Sequence, residues 1–319
     1  MNRQLSGFFM AALFISGVAI AADHDGKATT LVVNMSAGGP LDVASRIVAE
    51  KLGPLLGRSV VVINKVGASG NVGASDVAKA APDGLTVLFT TDGSVVINPM
   101  IFPSMPFKTE DLKPVALIGS VQSAISVNAV TGIRNLEDLV KAGKSNSLNF
   151  SSSGAGSPAH LGSAMLAQSM GIQVNHVPYR GGGPAALALA SGEVQAGVLS
   201  IPGIRAFVQD GKIRLLAITS ARRSAQFPDV PTTAELGYPE IRTDLLFLAM
   251  VPAKTPDAVV EKLQAAILAA LADPSVKSRL SGMGIDISGP AHAVATSSAL
   301  ESLRTRFTKV VKQAGIKVE

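Results

Sequence analysis

The chain has 319 residues, with no cysteine, no tryptophan and only 4% aromatic residues. Without cysteine there is no disulfide framework and no thiolate metal site, so packing alone must supply stability. The scarcity of aromatics removes the interleaved basic and aromatic surface that nucleic-acid binders use. Charge is modest too. Lys and Arg total 28 against 23 Asp and Glu, spread along the chain. That balance suits the capture of small acidic molecules. The four histidines, His24, His160, His176 and His292, show no metal-ligand spacing. No metal, cofactor or nucleic-acid partner is expected.

One long apolar run is present, at the start. Met1-Asn2-Arg3-Gln4 precedes an uncharged stretch from Leu5 to Ile20 that ends at Ala19-Ile20-Ala21. A basic start, an apolar middle and a small-x-small site read as a secretory signal over residues 1–21. The competing reading is a membrane anchor, for which the run is marginally long and lacks stop-transfer charges. The mature chain is expected in the periplasm. It is long enough for about two domains and a sizeable core.

The first half alternates strand, glycine turn and helix. Leu31 to Val33 reads as a buried strand running into Asn34-Met35-Ser36-Ala37-Gly38-Gly39-Pro40. Pro40 suits the first position of a helix whose apolar residues are Ala44, Ile47, Val48, Leu52 and Leu55. A helix start with bare N–H groups is an anion site in waiting. Asp42 can pair with Arg46 one turn on, which makes it helix support. It would contact a solute only through an ammonium group. The pattern repeats at Val60 to Ile63 with Gly67-Ala68-Ser69-Gly70, and at Thr86 to Thr90 with Asp92-Gly93-Ser94. Such alternation marks a parallel α/β sheet with its turns on one rim, where ligands bind.

Four prolines between Pro99 and Pro114 predict an irregular segment. A strand is expected over Val121 to Val127, then a short helix from Leu136. Further strands are expected at Ser147 to Phe150, Val174 to Val177, Val194 to Leu199, Leu215 to Thr219 and Leu245 to Val251. Helices are expected at Pro256 to Ala272 and Ala291 to Ala314. The shared grammar of the two halves predicts two similar α/β lobes facing each other.

Ser151 to His160 contains Gly154-x-Gly156-x-x-Ala159, a dinucleotide-like pattern. The acidic residue that pattern needs about twenty positions on is absent. A structural turn is one reading of the segment. The other is a second anion-binding helix start, with Ser153 and Ser157 as hydroxyl donors. Gly143-Lys144-Ser145 lacks the first glycine of a phosphate loop, and no Gly-x-Ser-x-Gly elbow occurs. A hydrolase built on Ser153, Ser157 and His160 stays open as an alternative, and His160 also reads as a residue that orients its own loop. Arg180 could clamp a carboxylate or could contact the other lobe, and Lys65 is the other basic loop residue.

Read in order, these motifs resemble the periplasmic receptors of tripartite tricarboxylate transporters, the Bug-type family. The matching residues are Gly38-Gly39-Pro40-x-Asp42, Asn64-Lys65-x-Gly67-Ala68-x-Gly70-Asn71-x-Gly73 and Pro82-Asp83-Gly84-x-Thr86. Asn98-Pro99, Gly154-x-Gly156-Ser157-x-x-His160-Leu161, Val177-Pro178-Tyr179-Arg180-Gly181 and Pro228-Asp229-Val230-Pro231-Thr232 continue the series. Glu235-x-Gly237 and Pro252-x-x-Thr255-Pro256 close it. The resemblance implies an α/β, two-lobed type II periplasmic binding protein with a cleft between lobes. Two crossover segments would join them, near Val121 to Ile125 and Ile241 to Leu246. Lobe 1 would comprise residues 28–122 and 244–319, and lobe 2 residues 123–243. It further implies a monomer that is no enzyme and that delivers a small organic carboxylate to membrane permease subunits, or alternatively reports to a sensor system. The solute would be held by Ala37, Gly38 and Gly39 from the first turn and by Gly154 and Ser157 from its counterpart. Asp42, Ser69, Ser94, Ser153, His160 and Tyr179 complete the expected contacts. Leu41 stands where the family commonly has a small polar residue, and Leu246 and Leu248 where Trp and Gly are frequent.

Overall fold

A computed structural model describes residues 26–179, 181–287 and 292–316. The signal segment, Ala291 and Arg180 lie outside them. The chain opens with strand β1 (Thr29–Val33), helix α1 (Pro40–Leu56), β2 (Val60–Asn64), α2 (Asn71–Ala78) and β3 (Thr86–Thr91). Apolar residues of β1 and β3 are buried, and parallel pairing aligns Leu31 with Val62 on one side and with Val87 on the other. The three strands run the same way, so their carboxyl ends share one rim, as the alternation implies.

A short helix α3 (Asn98–Ile101) precedes β4 (Leu112–Val121), and β5 (Ser123–Asn128) follows after a single residue. The expected strand over Val121 to Val127 is therefore two strands in two sheets, meeting at Gln122. Next come α4 (Leu136–Ser145), β6 (Leu148–Ser152), α5 (Pro158–Met170), β7 (Val174–Pro178) and α6 (Gly182–Ser191). Strand β8 (Ala196–Ser200), helix α7 (Ile201–Gln209) and β9 (Ile213–Ile218) complete the second unit. The chain then returns through β10 (Leu245–Pro252), α8 (Asp257–Ala272), α9 (Pro274–Gly282), β11 (Ile285–Asp286) and α10 (Ala293–Ala314).

The strands form a six-stranded sheet in the order β11-β4-β10-β3-β1-β2 and a five-stranded sheet in the order β7-β6-β8-β5-β9. Neither is wholly parallel: β10 runs antiparallel to β3 and β4, and β5 antiparallel to β8 and β9. Each antiparallel strand adjoins a place where the chain passes from one sheet to the other.

The expected irregularity up to Pro114 ends at Leu112, because Pro114 is accommodated inside β4. It faces Met250 where the register of β10 shifts, and such a break tolerates the missing N–H.

One apolar cluster spans both units. Leu161 and Met165 of α5 share it with Val32, Leu88, Val95, Val96, Leu248 and Phe307. Gly162, on the other face of α5, lies so close to its own sheet that a Cβ there would come within 2.8 Å of Val198. Both sides of α5 are therefore in contact. Among the described residues no helix is long and apolar enough to cross a membrane.

Candidate solute site at two helix starts

At the first turn, Gly38 adopts φ +77°, a conformation that suits glycine, and Pro40 starts α1. Asp42 is nearly fully buried and organises the turn. Its carboxylate accepts from Gly38 N–H at 2.9 Å, from Arg46 Nε at 3.1 Å and from Asn64 Nδ2 at 2.9 Å. The Arg46 guanidinium beside it holds its pKa down at about 2 despite the burial. All these partners belong to its own unit, so Asp42 shapes the turn and has no spare lone pair for a solute.

The same bonds change which amides are open. Gly38 N–H serves Asp42, and Gly39 N–H reaches Ser36 O at 3.2 Å. Ala37 N–H has no partner among the described residues. Leu41 and Asp42, in the first turn of α1, have no intrahelical acceptor for theirs. The donors expected at Gly38 and Gly39 therefore pass to Ala37 and the start of the helix. The Leu41 side chain packs into the core with Leu31 and Ile47 and presents nothing to a ligand.

Ser69 and Ser94 meet around Asn34. Asn34 Nδ2 lies 3.0 Å from Gly70 O, 2.8 Å from Thr90 Oγ1 and 2.9 Å from Ser94 Oγ, so its two protons are shared among three acceptors. Ser94 Oγ donates to Ser69 O at 3.4 Å, and Asn98 Nδ2 donates to the same oxygen at 3.0 Å. Ser69 is held at φ +55°, ψ +34°, rare for a residue with a side chain, and its exposed hydroxyl has no partner. Strain of this kind, fixed by its surroundings, gathers at ligand sites. Asn34 Oδ1 is buried without any partner.

The second turn follows β6. Gly154 and Gly156 take φ +130° and +72°, and Ser157 caps α5 by accepting His160 N–H at 3.3 Å. His160 Nδ1 in turn accepts Gly156 N–H at 3.1 Å, so this histidine orients its own loop. Gly154 N–H goes to Ser152 Oγ at 3.2 Å, and Ser157 N–H to Gly154 O at 3.2 Å. Among the described residues, the groups left open include the Ser153 hydroxyl, the Ser157 hydroxyl proton and Ala155 N–H. Behind the loop, buried Ser152 shares a 2.5 Å hydrogen bond with His176 Nε2.

Other expected contacts are used elsewhere. Tyr179 donates its hydroxyl to Glu193 at 2.7 Å, and Lys65 pairs with Asp76 at 2.6 Å. The hydrolase cluster does not assemble, because the His160 ring bonds to Gly156 and to neither Ser153 nor Ser157. Among the described residues no group of His, Asp and Glu could hold a metal. No hydrogen bond among them joins the two turns. Reading the sequence did not single out Asn34, Ser152 or His176. The available signal was a polar residue at the end of an apolar strand, as at Asn34 and Ser152.

Residues 44–315 match the model of the tripartite tricarboxylate transporter family receptor. The chain belongs to that family. Protein BugT of Bordetella pertussis is 32% identical over 100% of this chain and 99% of its own. Among solved structures, a protein of R. palustris with adipate matches with a TM-score of 0.81 and 31% identity, covering 92% of this chain and 99% of that one. MatC of Rhodopseudomonas palustris with bound malate gives 0.76 and 27%, covering 89% and 99%. Family and neighbours are periplasmic solute-binding receptors of two-lobed build, and this receptor shares their architecture.

Proposed function

We propose that this receptor is exported by its first 21 residues and captures a small organic carboxylate in the periplasm for tripartite tricarboxylate permease subunits. Lobe 1 would comprise residues 28–122 and 244–319, and lobe 2 residues 123–243. The observation that carries the reading is the matched pair of helix starts. At Gly39-Pro40 and at Ser157-Pro158 a strand stops, a glycine turn follows, and a proline opens a helix. Each leaves N–H groups or hydroxyls open for an anion. The carboxylate inside the first turn, Asp42, is already neutralised by Arg46. Relatives solved with malate and adipate support this ligand class. The contacts are Ala37, the first turn of α1, Ser69, Ser94, Ser153 and Ser157, with His160 and Gly154 shaping the second turn.

A thermal-shift panel of mono-, di- and tricarboxylates tests the proposal. A ligand at a hundred times its dissociation constant adds about 2.7 kcal/mol of stability. Selective stabilisation is expected, and a flat response across the panel sinks the idea. Gly39→Val and Ser157→Val should each remove the response with the fold intact. Retention in both would move the site elsewhere.

A further inference from the structure

A cavity of about 350 Å³ opens where the chain passes between its two sheets, against α10, and its walls include none of the turn residues above. Three arginines reach it from different elements. Arg222 follows β9, Arg242 precedes β10, and Arg306 lies on α10. Two aspartates answer them. Arg242 Nε donates to Asp244 Oδ2 at 3.1 Å, and Arg222 Nη2 to Asp286 Oδ2 at 3.1 Å. Arg306 is in no ion pair among the described residues. Its one hydrogen bond runs from Nη1 to the main-chain oxygen of Arg242 at 3.2 Å.

Arg306 is also half-buried, and burial together with the nearby Arg242 charge pushes its pKa down. Asp244 does little to offset this. It is buried, bonded by Ser220 and Arg242, and its own pKa is pushed up by burial. Among the described residues, the walls therefore carry one guanidinium more than they carry carboxylates, in a place where charge is poorly solvated. The rest of the lining is largely apolar, with Leu117, Leu246, Ala299 and Leu303. A pocket of this volume, apolar with a few convergent polar groups, has the dimensions of a small-molecule site.

We propose that this cavity is a second binding site, taking a small carboxylate with a short hydrocarbon body. The carboxylate sits on Arg306, and the hydrocarbon lies against Leu246 and Leu303. Such a ligand touches both the return segment, through Arg242, and the first sheet's α10. Leu246 also ties the cavity to the solute turns, because its N–H donates to Asp92 Oδ1 at 3.0 Å, two residues before Ser94.

The test is calorimetric titration of the mature chain with butyrate and with inorganic phosphate. Butyrate should bind wild type and should still bind Ser157→Val, in which the solute turn is disabled. Arg306→Gln should weaken that binding about tenfold or more, the scale of one charge-assisted hydrogen bond, and Arg306→Lys should largely restore it. Ala299→Phe fills the cavity without changing charge and should abolish binding. The proposal is overturned by an absence of butyrate binding to wild type or by its disappearance in Ser157→Val. It is equally overturned by its survival in both Arg306→Gln and Ala299→Phe, or by phosphate binding as tightly as butyrate. A panel in which no di- or tricarboxylate stabilises the chain, with butyrate binding retained, would count against the turns alone.

Discussion

The imidazoles of His160 and His176 lie ring on ring, their centroids 3.6 Å apart and their planes within 2°. Gly156 N–H donates to His160 Nδ1, so the neutral ring carries its proton on Nε2. Protonating Nδ1 would set two donors against each other and break the bond that shapes the second turn. Burial, and then the neighbouring His176, push the His160 pKa down to about 4.

A pH dependence follows. Unfolded, His160 titrates near 6.5, so between about 4 and 6.5 the unfolded chain binds more protons than the folded one. Stability should fall as pH drops through that window, and solute affinity only as pH approaches 4, where the folded ring protonates. His160→Asn, which keeps an acceptor for Gly156, should remove the larger part of the slope in thermal melts from pH 4 to 8. Parallel slopes in the two proteins would count against this role.

Asp92 should act with the opposite sign. It is fully buried, accepts Leu246 N–H through Oδ1, and leaves Oδ2 without a partner. Burial first, and Asp244 to a smaller extent, push its pKa up to about 7. A raised carboxyl contributes stability that is present at low pH and lost as pH rises through about 7. Asp92→Asn keeps the acceptor and removes the ionisation. It should melt higher than wild type at pH 8, with a gain that shrinks at pH 5 and vanishes below about 4. Indistinguishable profiles would show that Asp92 does not ionise in this range.

Asp42→Asn should cost about 1–3 kcal/mol at pH 7, because Gly38 N–H, Asn64 and Arg46 all lean on that carboxylate. The folded pKa is depressed to about 2. The contribution is therefore present above about 4 and fades as pH falls through 2. Urea denaturation at pH 7 and pH 2 measures the difference, and an equal cost at both would exclude an electrostatic origin.

Two glycines separate strain from contact. Gly38 has φ +77° and open space around a would-be Cβ, so Gly38→Ala should cost about 1–2 kcal/mol from conformation alone. At Gly70, also at positive φ, a Cβ would meet Asn34 Nδ2 at 2.6 Å and Ser94 Oγ at 2.7 Å. Gly70→Ala should cost about 2–4 kcal/mol and abolish solute binding by breaking the Asn34 bonds. Equal effects in chemical melts would mean that the Asn34 cluster yields freely.

Much of this architecture can be read from local pattern. Leu31 to Val33 and Val87 to Phe89 are short apolar runs bounded by turn residues, and they form adjacent interior strands of the first sheet. The turns at Gly38-Gly39 and Gly154 to Ser157 announce themselves by glycine and by proline at the first helical position. What stays hidden is long-range. Nothing local tells that Val121 and Ser123 lie in different sheets, or that Pro114 sits in a strand because β10 slips opposite it. Helix α9 opens with proline in a short, polar segment and carries weak periodicity. Hydrogen-bond commitment is equally invisible. Gly38 looks like an open donor until its acceptor, four residues on, is seen to be turned back toward it.

The shared apolar cluster sets how this receptor can move. Leu161 and Met165 already lie dry against side chains of the first unit, close to where the second helix starts. Swinging the lobes fully apart would wet that surface, at a cost that rises with each exposed methylene. The easier motion keeps this edge in contact and rolls about it. The lobe margins far from α5 would then travel furthest, while Ser157 stays near the axis.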